Sequence, residues 1–96
     1  MLKHVVFMKF KADVTDTKIA ALEQGLAGLP GKIAEIRGFQ FGRDVIHSER
    51  SYDFALVGDF DDLEAMQRYQ VNPAHVAVVA LVRSLSSSVL AVDFEC

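Results

Sequence analysis

Between Leu2 and Lys11 the chain reads LKHVVFMKFK, and its side chains divide cleanly between two faces. Leu2, His4, Val6, Met8 and Phe10 share one; Lys3, Val5, Phe7, Lys9 and Lys11 share the other. This predicts a strand over 2–11. Both faces are apolar in the middle, so both are expected to be covered, and His4 belongs to the more apolar one. The period then changes. Ile19, Leu22, Leu26 and Leu29 recur at spacings of three and four, the stripe of a helix. Thr15 is the N-cap and Asp16 favours the helix start. Gly25 and Gly28 weaken this helix by about 1 kcal/mol each relative to Ala. Pro30-Gly31 interrupts it, and a short turn over 31–36 follows.

GFQFGRDV, 38–45, reads as a second strand with Phe39 and Phe41 on one face. HSERS, 47–51, is a polar connection of hairpin type. YDFALVGDF, 52–60, is a third strand, with Tyr52, Phe54, Leu56 and Phe60 pointing one way and Asp53, Ala55, Val57 and Asp59 the other. Asp61 or Asp62 starts the next helix, with Leu63, Met66 and Tyr69 or Gln70 inward. Asn72-Pro73 resets that helix, because Asn caps and Pro takes the first helical position. An apolar helix runs on to about residue 84. SSSVLAVDF, 86–94, is the last strand, apolar on both faces through Val89 and Ala91, Leu90 and Val92. Met8 and Met66 read as gap-filling core.

The order β-α-β-β-α-β predicts an α+β, ferredoxin-like unit: one antiparallel sheet with its helices on one face. The other face carries Val5, Phe7, Val57, Val89 and Ala91 by this register. Leaving them wet forfeits about 25 cal/mol per Å² of apolar area. The expected remedy is a homodimer formed by sheet-to-sheet packing.

Ninety-six residues make one domain, 1–96, and 51% apolar content is rich for that length, in keeping with a second buried surface. The net charge of −3 and the absence of a basic cluster argue against nucleic acid as a partner. The single cysteine, Cys96, leaves no disulfide framework and no zinc spacing. His4, His47 and His75 include no pair at a local ligand spacing, so no metal ligands and no cofactor are assigned, while the question of a divalent metal stays open. No apolar run reaches the roughly 18 residues of a membrane span. The start lacks the organisation of a signal peptide, and a cytoplasmic protein is the expectation.

One stretch does not fit a plain core helix. In YQVNPAHVAVV, 69–79, His75 stands in the first turn of a helix that is otherwise apolar as far as Val82. Two readings are open: a helix-end histidine bonded to a backbone carbonyl, or the polar point of a ligand pocket.

The chain resembles the Dabb family of stress-responsive dimeric α/β-barrel domain proteins. The matching pieces are KHVVFMKFK at 3–11, LPGKIAEIRGFQFGRD at 29–44, YDFALVGDFDD at 52–62, YQVNPAHV at 69–76 and VLAVDFE at 89–95. The resemblance implies a dimeric barrel of two ferredoxin-like sheets with helices outside. It also implies a chemistry, since a plant member closes a linear polyketide by an aldol reaction without a metal. That member's tyrosine and histidine in the helix-start motif match Tyr69 and His75, and its N-terminal strand histidine matches His4. Two departures stand out. The family's His-Pro-Ala-His begins here with Asn72, and Leu26 falls where the plant enzyme has a pocket tyrosine. Heme- or quinol-handling monooxygenases share the barrel shape, but the Dabb-like motifs oppose that third reading.

At the third helical position, His75 faces a helix dipole that disfavours imidazolium, so its ring is expected to be neutral near pH 7 and able to take a proton. Tyr69, a turn earlier, would donate to a developing enolate oxygen. Exposed helix N–H groups nearby would favour an anion, and His4 would orient His75 or bind the ligand. The expected site is a cavity lined by His4, Val6, Met8, Tyr69, His75 and Val79, taking a small aromatic or keto-acid molecule. The competing reading is a non-catalytic stress-responsive or structural dimeric barrel in which the histidines serve packing, Tyr69 is core and His4 pairs with a neighbour. Arg43-Asp44 and Glu49-Arg50 read as solvated hairpin charges in either case.

Overall fold

Strand β1 (Leu2–Phe10) takes the middle of the sheet because both its faces are apolar, and a computed structural model describes the whole of 1–96 around it. β3 (Phe54–Phe60) flanks β1 on one side and β4 (Ser86–Glu95) on the other, with β2 (Gly38–Arg43) beyond β3. Every pairing is antiparallel. This is the ferredoxin-like strand order that the element sequence predicted.

Three helices close one face: α1 (Asp16–Ala27), α2 (Leu63–Val71) and α3 (Pro73–Leu85). Thr15 caps α1 through the Lys18 N–H, and Asp62 caps α2 through the Ala65 N–H. Asn72 ends α2 and caps α3 in one step: its extended backbone breaks the helix, its side chain accepts the Ala74 N–H at 2.9 Å, and Pro73 needs no partner. Leu22, Leu26 and Leu29 pack with Val6, Met8, Phe54, Leu56 and Phe60 of the sheet and with Met66, Tyr69, Val82 and Leu85. At the far end of α3 the Lys11 N–H donates to the Leu85 carbonyl, which ties that end beside the end of β1. No helix is long and apolar enough to cross a membrane.

Several positions differ from the sequence reading. β2 stops at Arg43 and β3 starts at Phe54, so the hairpin connection spans 44–53. Tyr52 lies outside β3 and turns away from Phe54: its hydroxyl bonds Ser88 and Lys9 lies over its ring. Leu63 is 47% exposed, and Ala65 takes an inward position beside Met66 and Tyr69. Arg43 is more than a solvated charge. It bonds Glu23 and Asp16, fastening β2 to α1.

The most consequential correction is in β4. The pairs Val5↔Val92 and Phe7↔Leu90 put Leu90, Val92 and Phe94 on the open face. Val89 and Ala91, opposite Met8 and Val6, lie on the helix side. Four apolar residues in succession carry no alternation, and a shift between Lys9 and Phe10 opposite Ser86–Ser88 sets the phase. The open face is still apolar: Val5, Phe7, Val57, Leu90, Val92 and Phe94 share it, with the Lys3–Asp59 ion pair at one end (2.7 Å).

Candidate active site

The same phase brings Asp93 opposite His4, on the helix side. His4 is 8% exposed, and a polar ring so deeply placed needs a partner. It has one: the His4 Nδ1–H donates to the Asp93 carboxylate. Sequence reasoning missed Asp93. The signal was present, since Asp93 is the one acidic residue between Ser86 and Phe94 and stands two and four positions from Ala91 and Val89.

Tyr69 ends α2 with 1% of its surface exposed, between the rings of Phe60 at 4.8 Å and Phe39 at 6.3 Å, with His4 at 6.1 Å. Burial alone pushes its phenol well above the ordinary value, so it stays protonated and is a donor. After the break at Asn72, His75 occupies the third position of α3 and returns its ring to within 4.1 Å of Tyr69. Its Nδ1 meets the Gln70 carbonyl at 3.0 Å. A carbonyl only accepts, so Nδ1 carries the hydrogen, and in the neutral ring Nε2 keeps the lone pair.

The His75 imidazole binds a proton less readily than an ordinary histidine. Burial is the main cause; the bond to Gln70 opposes it and the neighbouring His4 adds to it. The direction agrees with the expectation from the helix start, but desolvation leads. A stability consequence follows. Above the ordinary value of 6.5 the ring is neutral in both folded and unfolded chains, and the fold is at full strength. As the pH falls below that, the unfolded ring takes a proton that the folded ring refuses, so stability drops until the folded ring titrates as well. Thermal unfolding from about pH 7.5 to about pH 5 should show a smaller acid loss for His75→Gln than for the unsubstituted chain.

Another expectation fails. The start of α3 offers no row of free N–H groups for an anion: Pro73 has none, Ala74 is bonded to the Asn72 side chain and Val76 to the Asn72 carbonyl.

Between α3 and the strands β1 and β4 lies a cavity of about 320 Å³, within the range of small-molecule sites. All six expected residues line it: His4, Val6, Met8, Tyr69, His75 and Val79. Leu26 lines it too, as do Val89 and Ala91. The short side chains of Val78, Val79 and Ala91 leave the gap between helix and edge strand unfilled. A wider depression of about 520 Å³ lies beside the start of α1, near His47. Apart from Lys11, its charged groups are already engaged. Asp53 accepts the Phe10 N–H, Asp44 accepts the His47 N–H, and Arg43 is held by α1.

Residues 2–96 match the Stress responsive A/B Barrel Domain, Dabb. An uncharacterized protein of Streptomyces coelicolor is 32% identical over 97 residues, covering 99% of each chain. Olivetolic acid cyclase of Cannabis sativa is 26% identical, covering 97% of this chain and 94% of its own. Among solved structures, a dimeric ferredoxin-like protein of unknown function from Thermobifida fusca superposes with a TM-score of 0.91 at 28% identity, covering 99% of this chain and 90% of its own.

Proposed function

The chain belongs to the stress-responsive A/B barrel domain family, and from that premise we propose that it is a homodimeric acid–base protein acting on a small carbonyl compound held between α3 and the sheet. The observation that supports this reading is one composite arrangement. The rings of His75 and Tyr69 lie 4.1 Å apart, and both line a cavity whose other walls are mostly apolar. His75 removes a proton from the carbon next to the carbonyl, and the electron pair moves onto the carbonyl oxygen. The Tyr69 O–H donates to the enolate so formed, in a site with little water to compete. His4, fixed by Asp93, offers Nε2 as a further contact. Attack of the enolate on a second carbonyl of the same molecule would be aldol ring closure. The dimer is argued from the apolar open face and from the dimeric description of the Thermobifida relative.

Proton abstraction can be read without knowing the final product. Aryl ketones and aryl β-diketones in D2O should exchange the hydrogens next to the carbonyl faster with the protein than in buffer of equal pH, followed by proton NMR. Compounds that bind without faster exchange would leave a binding protein. Compounds that neither bind nor exchange would return the site to the second reading, a barrel whose His75 serves only to tie α3 to the end of α2 through Gln70.

A further inference from the structure

Helix α3 contributes a single stripe to the cavity: His75, Val78, Val79, Val82 and Arg83. His75 and Arg83 are its ends, eight residues apart, so their Cα atoms lie about 12 Å from each other along the axis. The strands repeat this polarity. His4 is beside Tyr69 at one end, while Met8, paired with Val89, lies toward the other, where Lys11 is tied to Leu85. The cavity therefore has a proton-transfer end, an apolar middle and a guanidinium.

That guanidinium has no partner in the chain. Arg37 is paired with Asp61, Arg43 with Asp16 and Glu23, and Arg68 with Glu35; Arg50 of the hairpin and Arg83 enter no ion pair, and of these two Arg83 lines the cavity. No carboxylate lines the cavity. At the His75 end Asn72 takes up the Ala74 and Val76 N–H groups, and no cationic side chain lines the cavity there. Resting on the acid–base reading above, the geometry points to an elongated organic anion as the ligand class, with its carboxylate on Arg83 and its reacting carbonyl at His75 and Tyr69. Arg83 is then the residue that selects the ligand and sets its direction. A short keto acid, with carboxylate and carbonyl adjacent, cannot serve both ends; an apolar body must separate them. Arginine suits the role because its planar fork meets both carboxylate oxygens.

The test uses phenylbutyrate, phenylhexanoate and their carboxamides, titrated by calorimetry into the full chain and into Arg83→Gln. The acids should bind the unsubstituted protein about fivefold more tightly than the amides, the modest margin of an exposed ion pair. Arg83→Gln should erase that margin and leave amide affinity unchanged, which also shows that the pocket is intact. A role for Arg83 confined to the end of α3 would not move the acid–amide ratio. Equal binding of acids and amides, or a preference that survives Arg83→Gln, overturns the assignment and leaves the acid–base reading standing. Failure of every compound to bind also overturns the assignment, and the acid–base reading is then decided by the ketone exchange experiment alone.

Discussion

Replacing His75 with alanine is expected to slow carbonyl-adjacent hydrogen exchange by about 10²- to 10⁴-fold, the usual worth of a positioned general base. The fold should survive. The substitution removes one hydrogen bond, to Gln70, worth about 1 kcal/mol. Tyr69→Phe should separate the two roles. It keeps the ring that packs on Phe60 and removes only the donor to the enolate. The loss expected is about 10²- to 10³-fold, with ligand binding little changed. Exchange rates from proton NMR, measured alongside thermal unfolding of each variant, give the answer. A His75→Ala protein that exchanges at the unsubstituted rate would end the base assignment.

A charge on the open sheet face should have an effect of comparable size on assembly. Val92 sits there opposite Val5, near Leu90 and Phe94. In the proposed dimer the two open faces meet about a two-fold axis, so one substitution enters the interface twice. Val92→Asp would bury two carboxylates on a face whose nearest cation, Lys3, is already paired with Asp59. At about 4 kcal/mol this raises the dissociation constant roughly a thousandfold. Val71→Asp, at an equally apolar but outward position of α2, should leave assembly alone. Sedimentation at micromolar concentration separates the cases. A Val92→Asp protein that stays dimeric would place the interface elsewhere.

Much of this molecule is legible in its residues. Strand β1 alternates openly, the α1 stripe is regular, and Asn72-Pro73 states both where one helix stops and where the next begins. Those three signals place His4, Tyr69 and His75, and they suffice to bring six side chains to one cavity. What could not be read has definite physical causes. Val89 to Val92 are apolar without interruption, so no pattern says which of them face the helices. The phase is decided by an irregularity in the β1–β4 ladder, a long-range pairing. Asp93 was lost with that phase. Arg83 was passed over for a different reason. A basic residue in the last turn of a helix already has a local explanation in the helix dipole, and only the tertiary fold shows that it also borders the cavity.

The break at Asn72 has a bearing on how such a scaffold diversifies. Tyr69 belongs to α2 and His75 to α3, and the two are related through one extended residue rather than through a continuous helix. They share Asn72 as a cap, but neither helix continues the other's backbone. A one-residue insertion or deletion after the joint would turn the ring of His75 by about 100° around α3 while leaving the sheet, its pairings and Tyr69 where they are. The reactive pair is thus separable from the architecture that carries it. A lineage built on this fold can gain, lose or re-aim its chemistry at a single link of the chain without rebuilding the barrel.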